Sequence, residues 1–308
     1  SDSAVPEPAG SGRAREDVAA YWPKRCWGLT MERDMPELPE VETIRRQLVT
    51  VLPGRALTHV RAIEAAMFMG SDISTLKTLV CGRTFGMPER KGKFLLLPLS
   101  GDVWLTMHLG MTGRVLLPRG RYSAHPHDRF VFSLCHKGSD SVVVFRDSRK
   151  FGRLEVTAGG PSERVARLGP DGWLGQWGAD YLAQRFRGRT ASVKALLLDQ
   201  HILAGIGNIY ADEALFEAAI LPSRPAGGLT SAELERLAVA IRSTLDRGVK
   251  ALGCSVSDFV HIDGRLGSMQ ENLRAYRRQG RPCTRCGALM QRAVIAGRGS
   301  GYCPVCQK

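Results

Sequence analysis

Four cysteines near the C-terminus carry the clearest chemistry. Cys283 and Cys286 form one CxxC pair, Cys303 and Cys306 form a second, and sixteen residues lie between the pairs. That spacing lets four thiolates surround one zinc ion tetrahedrally, and four protein ligands leave no open coordination position, so the ion is expected to be structural rather than catalytic. The pairs would flank a two-stranded finger with Arg298 on its hairpin, facing whatever the finger touches or standing as a solvated loop cation. Towards the other end, Pro36, Glu37 and Glu40 lie together in MPELPE. A proline with a free amino terminus is a secondary amine whose pKa, near the ~8 of α-amino groups, leaves a neutral, nucleophilic fraction at pH 7. The same run also reads as an ordinary proline-initiated helix whose carboxylates complement the dipole. A third stretch, LAGIGNIYADEALF over 203–216, sets a glycine-bearing turn between two helices. There Asn208 can cap the second helix, or the N–H groups of the helix N-terminus can hold a phosphate.

Three basic or aromatic clusters complete the set: Lys91 and Lys93 in KGKF, His108 and Met111 in MHLGM, and Arg149, Lys150 and Phe151 in DSRKFG. Their cations would contact phosphates while Met111 and Phe151 wedge between bases, unless the two apolar side chains simply pack into a core. Charge balance points the same way. Lys plus Arg outnumber Asp plus Glu by 43 to 30, a formal charge of +13, which suits nucleic acid first and an anionic membrane surface second. No run approaches the roughly 18 apolar residues of a membrane-spanning helix, and no signal-peptide core opens the sequence, so a cytoplasmic protein is expected. Cys26, Cys81, Cys135 and Cys254 are scattered without regular spacing, as buried thiols are and a disulfide framework is not.

The elements that must position these residues follow from periodicity. Residues 1–34 are rich in small, charged and turn-forming types without periodicity and read as a disordered extension. A helix is predicted over 39–51, with Val41, Ile44 and Leu48 as its stripe. The runs LTHVRAI, GKFLLLPL, DVWLTMHL, RFVFSLC, SVVVFRD and GRLEVTA then read as strands of an antiparallel β-sandwich ending near residue 157. A Gly/Pro-rich boundary over 158–178 leads to helices at 180–187, 190–200, 208–219 and 230–252. Thr230 and Glu233 make a capping box for the last of these, ahead of a stripe at Leu234, Leu237, Ile241, Leu245 and Val249. The stretch 255–280, with Gly264 and Gly267, is a mobile lid or a plain surface connection.

In order and approximate spacing, MPELPEVE, KGKFLLL, HLGM, DSRKFG, GIGNIYADEALF and the terminal finger resemble the formamidopyrimidine-DNA glycosylases over residues 35–308. Leu38 stands where the related endonuclease VIII group usually has glycine, which tilts the resemblance to the purine branch. It implies an α+β fold: a catalytic β-sandwich domain over 36–160, a helix-two-turn-helix domain over 179–270 and a zinc finger over 271–308, with duplex DNA in the positive cleft between the first two. It also implies a bifunctional glycosylase and AP lyase that flips oxidised purines out of the stack. Pro36, exposed by removal of Met35, would form a Schiff base with the sugar; Glu37 would act as acid and base and Glu40 would support the site. Lys93 would contact the lesion-side backbone and help catalysis, and Arg298 would join the catalytic set through a phosphate contact, before beta,delta-elimination leaves a one-nucleotide gap. Met111, Arg149 and Phe151 would fill the emptied stack, Arg149 addressing the orphaned cytosine. His108 and Asn208 would contact phosphates, and Lys194 would read the oxidised purine. One structural zinc, a partner duplex with oxidised bases or abasic sites, no membrane partner, a monomer and a nucleoid-associated cytoplasmic location complete the implication. One departure matters. Here Pro36 follows 35 residues, so its nitrogen is a tertiary amide without nucleophilicity, and the working enzyme is expected to start at Pro36. Two other readings stay open: an endonuclease VIII-like glycosylase for oxidised pyrimidines, and a catalytically silent zinc-containing protein that binds damaged DNA while Pro36 is blocked.

Overall fold

Helix α1 (Leu38–Val49) starts with Pro39 in its first turn, where a missing N–H costs nothing, and the Glu40 carboxylate reaches back 2.8 Å to the Glu37 N–H. The helix belongs to a computed structural model that describes residues 35–70 and 72–308; the disorder expected for 1–34 lies outside the described residues. The apolar stripe of α1 serves two cores. Val41, Ile44 and Leu48 enter the core of a β-sandwich, whereas Leu38, one turn earlier, is buried among helices.

The sandwich follows α1 in the chain as β1 (Ala56–Ala62), α2 (Ile73–Val80), β2 (Glu89–Lys91), β3 (Phe94–Leu99), β4 (Val103–His108), β5 (Gly113–Leu116), β6 (Asp128–His136), β7 (Ser139–Asp147) and β8 (Arg153–Ala158). Two four-stranded antiparallel sheets result, ordered β1-β6-β7-β5 and β2-β3-β4-β8. Alternating side chains of β3 (Leu95, Leu97, Leu99) meet Phe130, Phe132 and Phe145 in one buried cluster. All six predicted strands are present. The elements not foreseen are the three-residue charged β2, the four-residue β5, and α2, which Asp72 caps by accepting the Thr75 N–H at 2.7 Å.

The second half contains α3 (Glu163–Ala166), α4 (Ala179–Phe186), α5 (Val193–Leu197), α6 (Asn208–Glu217) and α7 (Ser231–Lys250), then the hairpin β9 (Gln291–Ile295) and β10 (Arg298–Tyr302). The predicted Thr230–Glu233 capping box is in place on α7. Helix α5 is shorter than expected because the Ser192 hydroxyl accepts the Ala195 N–H and starts it late. The stretch 255–280 is a packed connection: Phe259 and Ile262 enter the sandwich core, Met269 and Tyr276 the helical one.

The two halves meet backbone to backbone where Leu38 N–H donates to Gly205 O at 3.1 Å. Gly205 has φ +106, and a Cβ there would lie 2.5 Å from Leu38 Cδ1, so both conformation and space require glycine. Gly205→Ala should therefore lower the unfolding free energy by about 1–3 kcal/mol, measured as a drop in the urea midpoint. An unchanged midpoint would remove this contact as a constraint on the fold.

Candidate active site and nucleic-acid interface

The Glu37 side chain, 2% exposed, points at the start of α6. Its oxygens accept the backbone N–H groups of Gly207 at 2.6 Å, Ile209 at 2.9 Å and Tyr210 at 3.4 Å. The first turn of a helix has N–H groups without intrahelical partners and the positive end of the macrodipole, so a carboxylate is well held there. This corrects the expectation for Asn208. Gly207 is the N-cap, Asn208 is the first helical residue, and its Nδ2 donates to Gly299 O at 3.2 Å. The anion on these three N–H groups is the chain's own Glu37. Glycine at 207 permits the approach, since a Cβ there would lie 2.3 Å from Glu37 Cδ.

Glu40 stands behind Glu37. One of its oxygens accepts Tyr210 OH and Cys254 N–H, each at 2.7 Å, and the other accepts Glu37 N–H at 2.8 Å. Burial pushes the Glu40 carboxyl up in pKa against the pull of these donors. Through the last bond Glu40 fixes the peptide next to Pro36, itself a buried residue.

Cations reach this centre from two further elements. Lys93 immediately precedes β3; burial lowers its pKa, Glu37 and Glu40 oppose that, and Arg298 reinforces it. The turn before Lys93 is held by Asp171, which accepts Gly92 N–H at 2.9 Å and Arg90 Nη1 at 2.6 Å. Arg298 opens β10, opposite Ile295, where burial lowers its guanidinium and Glu37 raises it. Pro36, Glu37, Glu40, Lys93 and Arg298 are thus gathered from three distant parts of the chain.

Lys194 is not. Expected to read a damaged base, it is 0% exposed and spends its ammonium on Asp212 Oδ1 at 2.6 Å, Ser300 Oγ at 2.5 Å and Gly299 O at 3.2 Å. A fully enclosed ammonium with three protein acceptors has no face left for a base. Burial lowers Lys194 and raises Asp212 to about 7, each against the pull of its partner.

A second group lies at the ends of β4, β7 and β8. His108 Nδ1 accepts Gly110 N–H at 3.1 Å, and its ring is 4.9 Å from that of Phe94. Burial, together with Lys93, Arg164 and Arg153, pushes the ring down to about 3, so at neutral pH it is uncharged with its proton on Nε2. Asp147, fully buried, ties two neighbouring loops: the Thr112 hydroxyl, Arg149 N–H and Gly152 N–H all donate to it. These loops carry Met111, half-buried, and Phe151, 39% exposed, with the Arg149 guanidinium stacked 4.8 Å above the Phe151 ring. Core packing, the plainer reading of Met111 and Phe151, therefore does not describe them.

In the finger, the sulfurs of Cys283, Cys286, Cys303 and Cys306 lie within 4.8 Å of one another. The separations Cys283–Cys306 and Cys286–Cys303 are 3.9 and 3.5 Å, close to the roughly 3.8 Å edge of a tetrahedron with ~2.3 Å zinc–sulfur bonds. Arg285 N–H and Cys306 N–H each donate to a cysteine sulfur at 3.4 Å, as suits thiolates. The four residues hold one structural zinc ion. Arg285 docks the finger on α6 through Phe216 O at 2.8 Å and Glu217 O at 3.0 Å.

With this geometry the sequence matches three families in succession: the formamidopyrimidine-DNA glycosylase N-terminal domain over residues 35–154, the H2TH domain over 168–260 and the zinc finger found in FPG and IleRS over 280–308. The formamidopyrimidine-DNA glycosylase of Geobacillus kaustophilus is 41% identical over 89% of this chain and 100% of its own length. The chain belongs to the formamidopyrimidine-DNA glycosylase family. Among solved structures of that family, a Lactococcus lactis Fpg mutant bound to DNA containing Fapy-dG aligns with TM-score 0.81 and 31% identity, covering 89% of this chain and 100% of that one. The Lactococcus lactis Fpg complex with DNA containing an abasic site aligns equally well, with TM-score 0.81, 31% identity and coverage of 88% and 99%.

Sequence reasoning missed Tyr210, Gly207 and Asp147. The first two lie inside the GIGNIY motif that drew attention to Asn208, whereas Cys254 acts through a backbone N–H that no letter signals. Two outcomes follow from the site. Chelating zinc should raise hydrogen exchange and proteolysis over 280–308 while the sandwich strands stay protected, because the metal is the finger's main cross-link; equal loss in both would contradict that division. Burial holds the folded His108 ring at about 3, well below the ordinary histidine value of about 6.5, so its contribution to stability is complete above pH 6.5 and is lost as pH falls towards 3. His108→Asn keeps an acceptor for Gly110 N–H and removes the titration. Its unfolding free energy should fall less than wild type between pH 7.5 and pH 4; parallel falls would rule out a depressed His108.

Proposed function

We propose that this chain is a bifunctional DNA glycosylase and AP lyase that excises oxidised purines, 8-oxoguanine and formamidopyrimidines, from duplex DNA through Schiff-base chemistry at Pro36. The observation that carries the proposal is the Glu37 carboxylate, next in sequence to Pro36, held on the first turn of α6 and coupled electrostatically to Lys93 and Arg298. The names of its relatives and the lesions in their solved complexes support the substrate class.

In the chain that starts at Pro36, the proline is a secondary amine free to attack C1′ of the flipped nucleotide. The new N–C1′ bond replaces the bond to the base, Glu37 receives the amine's proton and returns it to the opening sugar, and the iminium then acts as the electron sink for beta and delta elimination. Glu40 keeps the Pro36–Glu37 peptide in place. Lys93 and Arg298 bind the phosphates beside the lesion, and His108 adds a neutral Nε2–H donor. Met111 and Phe151 occupy the space of the extruded nucleotide. Arg149 Nη1, buried without a partner among the described residues, is the donor for the orphaned cytosine. Asn208, at the start of α6, contacts a backbone phosphate. Among the described residues no helix is long and apolar enough to cross a membrane; a cytoplasmic, nucleoid-associated location is part of the proposal, supported by the duplex DNA substrate it assigns.

One observation favours a second reading for a chain that retains residues 1–35: Met35 acylates the Pro36 nitrogen, which leaves a protein that binds lesions without cutting. The match to the family's N-terminal domain begins at residue 35, which supports a working form opened by removal of Met35. Borohydride trapping on a duplex with 8-oxoguanine opposite cytosine separates the two. Protein starting at Pro36 should give an adduct mapped to Pro36 and a one-nucleotide gap, and protein retaining residues 1–35 should bind but neither trap nor cut. Trapping by the longer form would end the proline mechanism, and a preference for oxidised pyrimidines in a lesion panel would move the enzyme to the endonuclease VIII-like branch.

A further inference from the structure

Lys194 and Asp212 are a charged pair with no water contact, 0% exposed on both sides, and the chemistry above uses neither. Their bonds converge on one short piece of backbone. Lys194 Nζ donates to Gly299 O at 3.2 Å and Ser300 Oγ at 2.5 Å; Asp212 Oδ2 accepts Gly301 N–H at 2.9 Å; and Asn208 Nδ2 adds a second donor to Gly299 O at 3.2 Å. Three consecutive residues of β10 are thereby gripped by α5 and α6, and all three are buried. Two of them are glycines, so this part of the strand has almost no apolar surface with which to seat itself on α6.

Arg298 is the next residue. An enclosed ion pair is a poor stabiliser, because desolvation cancels most of its attraction and an apolar pair of the same size would serve as well. Its bonds are, however, fixed in length and direction, which hydrophobic contact is not.

We propose that the buried Lys194–Asp212 pair is a positioning device that sets the β10 backbone and so aims the Arg298 guanidinium at Glu37 and the bound phosphate. Lys194 is thus a positioning residue and not a reader of the base. The inference rests on the proposed role of Arg298 as a DNA phosphate contact.

Lys194→Met, Arg298→Ala and the double variant test it on full-length protein starting at Pro36, with zinc measured at one per chain. The probe is a duplex carrying a stable abasic-site analogue, which has no base to read. Arg298→Ala should weaken binding and lower the slope of log K against log salt by about one. Lys194→Met should do the same, and the double variant should bind within about twofold of Arg298→Ala alone, because both remove one contact. Additive losses would overturn the proposal, as would a Lys194→Met protein that binds this duplex normally and fails only with 8-oxoguanine. Hydrogen exchange over 291–302 supplies a readout without DNA: faster exchange there in Lys194→Met, with 94–147 unchanged, supports the device, and unchanged exchange overturns it. If Arg298→Ala leaves the slope intact, the phosphate contact is what fails, and the exchange result still decides the positioning role. Should Lys194→Met not fold, Ser300→Ala removes one bond of the ammonium without orphaning Asp212, and the same signs are expected at smaller size.

Discussion

A carboxylate on a helix end holds this molecule's site together. Glu37 lies 170 residues before Gly207, yet its side chain completes the first turn of α6. A buried carboxylate is tolerable only when hydrogen bonds replace its water, and three backbone N–H groups do so here. The rest of α6 extends the same logic. Tyr210 serves Glu40, Asp212 serves the finger strand, and Glu213 accepts the N–H groups of Arg274, Ala275 and Tyr276 at the base of the finger. The polar residues of one helix therefore tie Glu40, the finger strand and the base of the finger to a single element.

Much of this was legible in the sequence, for identifiable reasons. The zinc ligands were readable because metal chemistry constrains residue type and spacing together, and Cys283, Cys286, Cys303 and Cys306 obey both. Strands such as FLLLPL and VWLTMH were readable because their burial is continuous. Helix α7 announced itself through Thr230 and Glu233. By contrast β2, with the sequence ERK, has no apolar signal and exists because β3 pairs with it.

What stayed hidden depended on partners far away or without side chains. Asn208 beside a glycine turn is a reasonable cap on local grounds, and nothing nearby says that Glu37 has taken the place. Lys194 carries the right letter in the right motif, but its direction is set by Asp212 on one helix and Ser300 on a strand 106 residues later. Local pattern identifies which residues matter; only tertiary contacts decide what they face.

The divided stripe of α1 has a mechanical meaning. Leu38 is anchored among the helices while Val41, Ile44 and Leu48 are anchored in the sandwich. Chain order would assign Pro36 and Glu37 to the sandwich, which follows them directly, yet the bonds of Glu37 and Leu38 run to α6 and Gly205. Residues 36–38 are thus carried by the helical half. If the two halves shift against each other around DNA, Pro36 and Glu37 would stay with the helical half, as would the turn before Lys93, which Asp171 holds, while His108 on the sandwich would move relative to them. Adjustment of the grip on DNA would then leave the spacing of Pro36 and Glu37 unchanged.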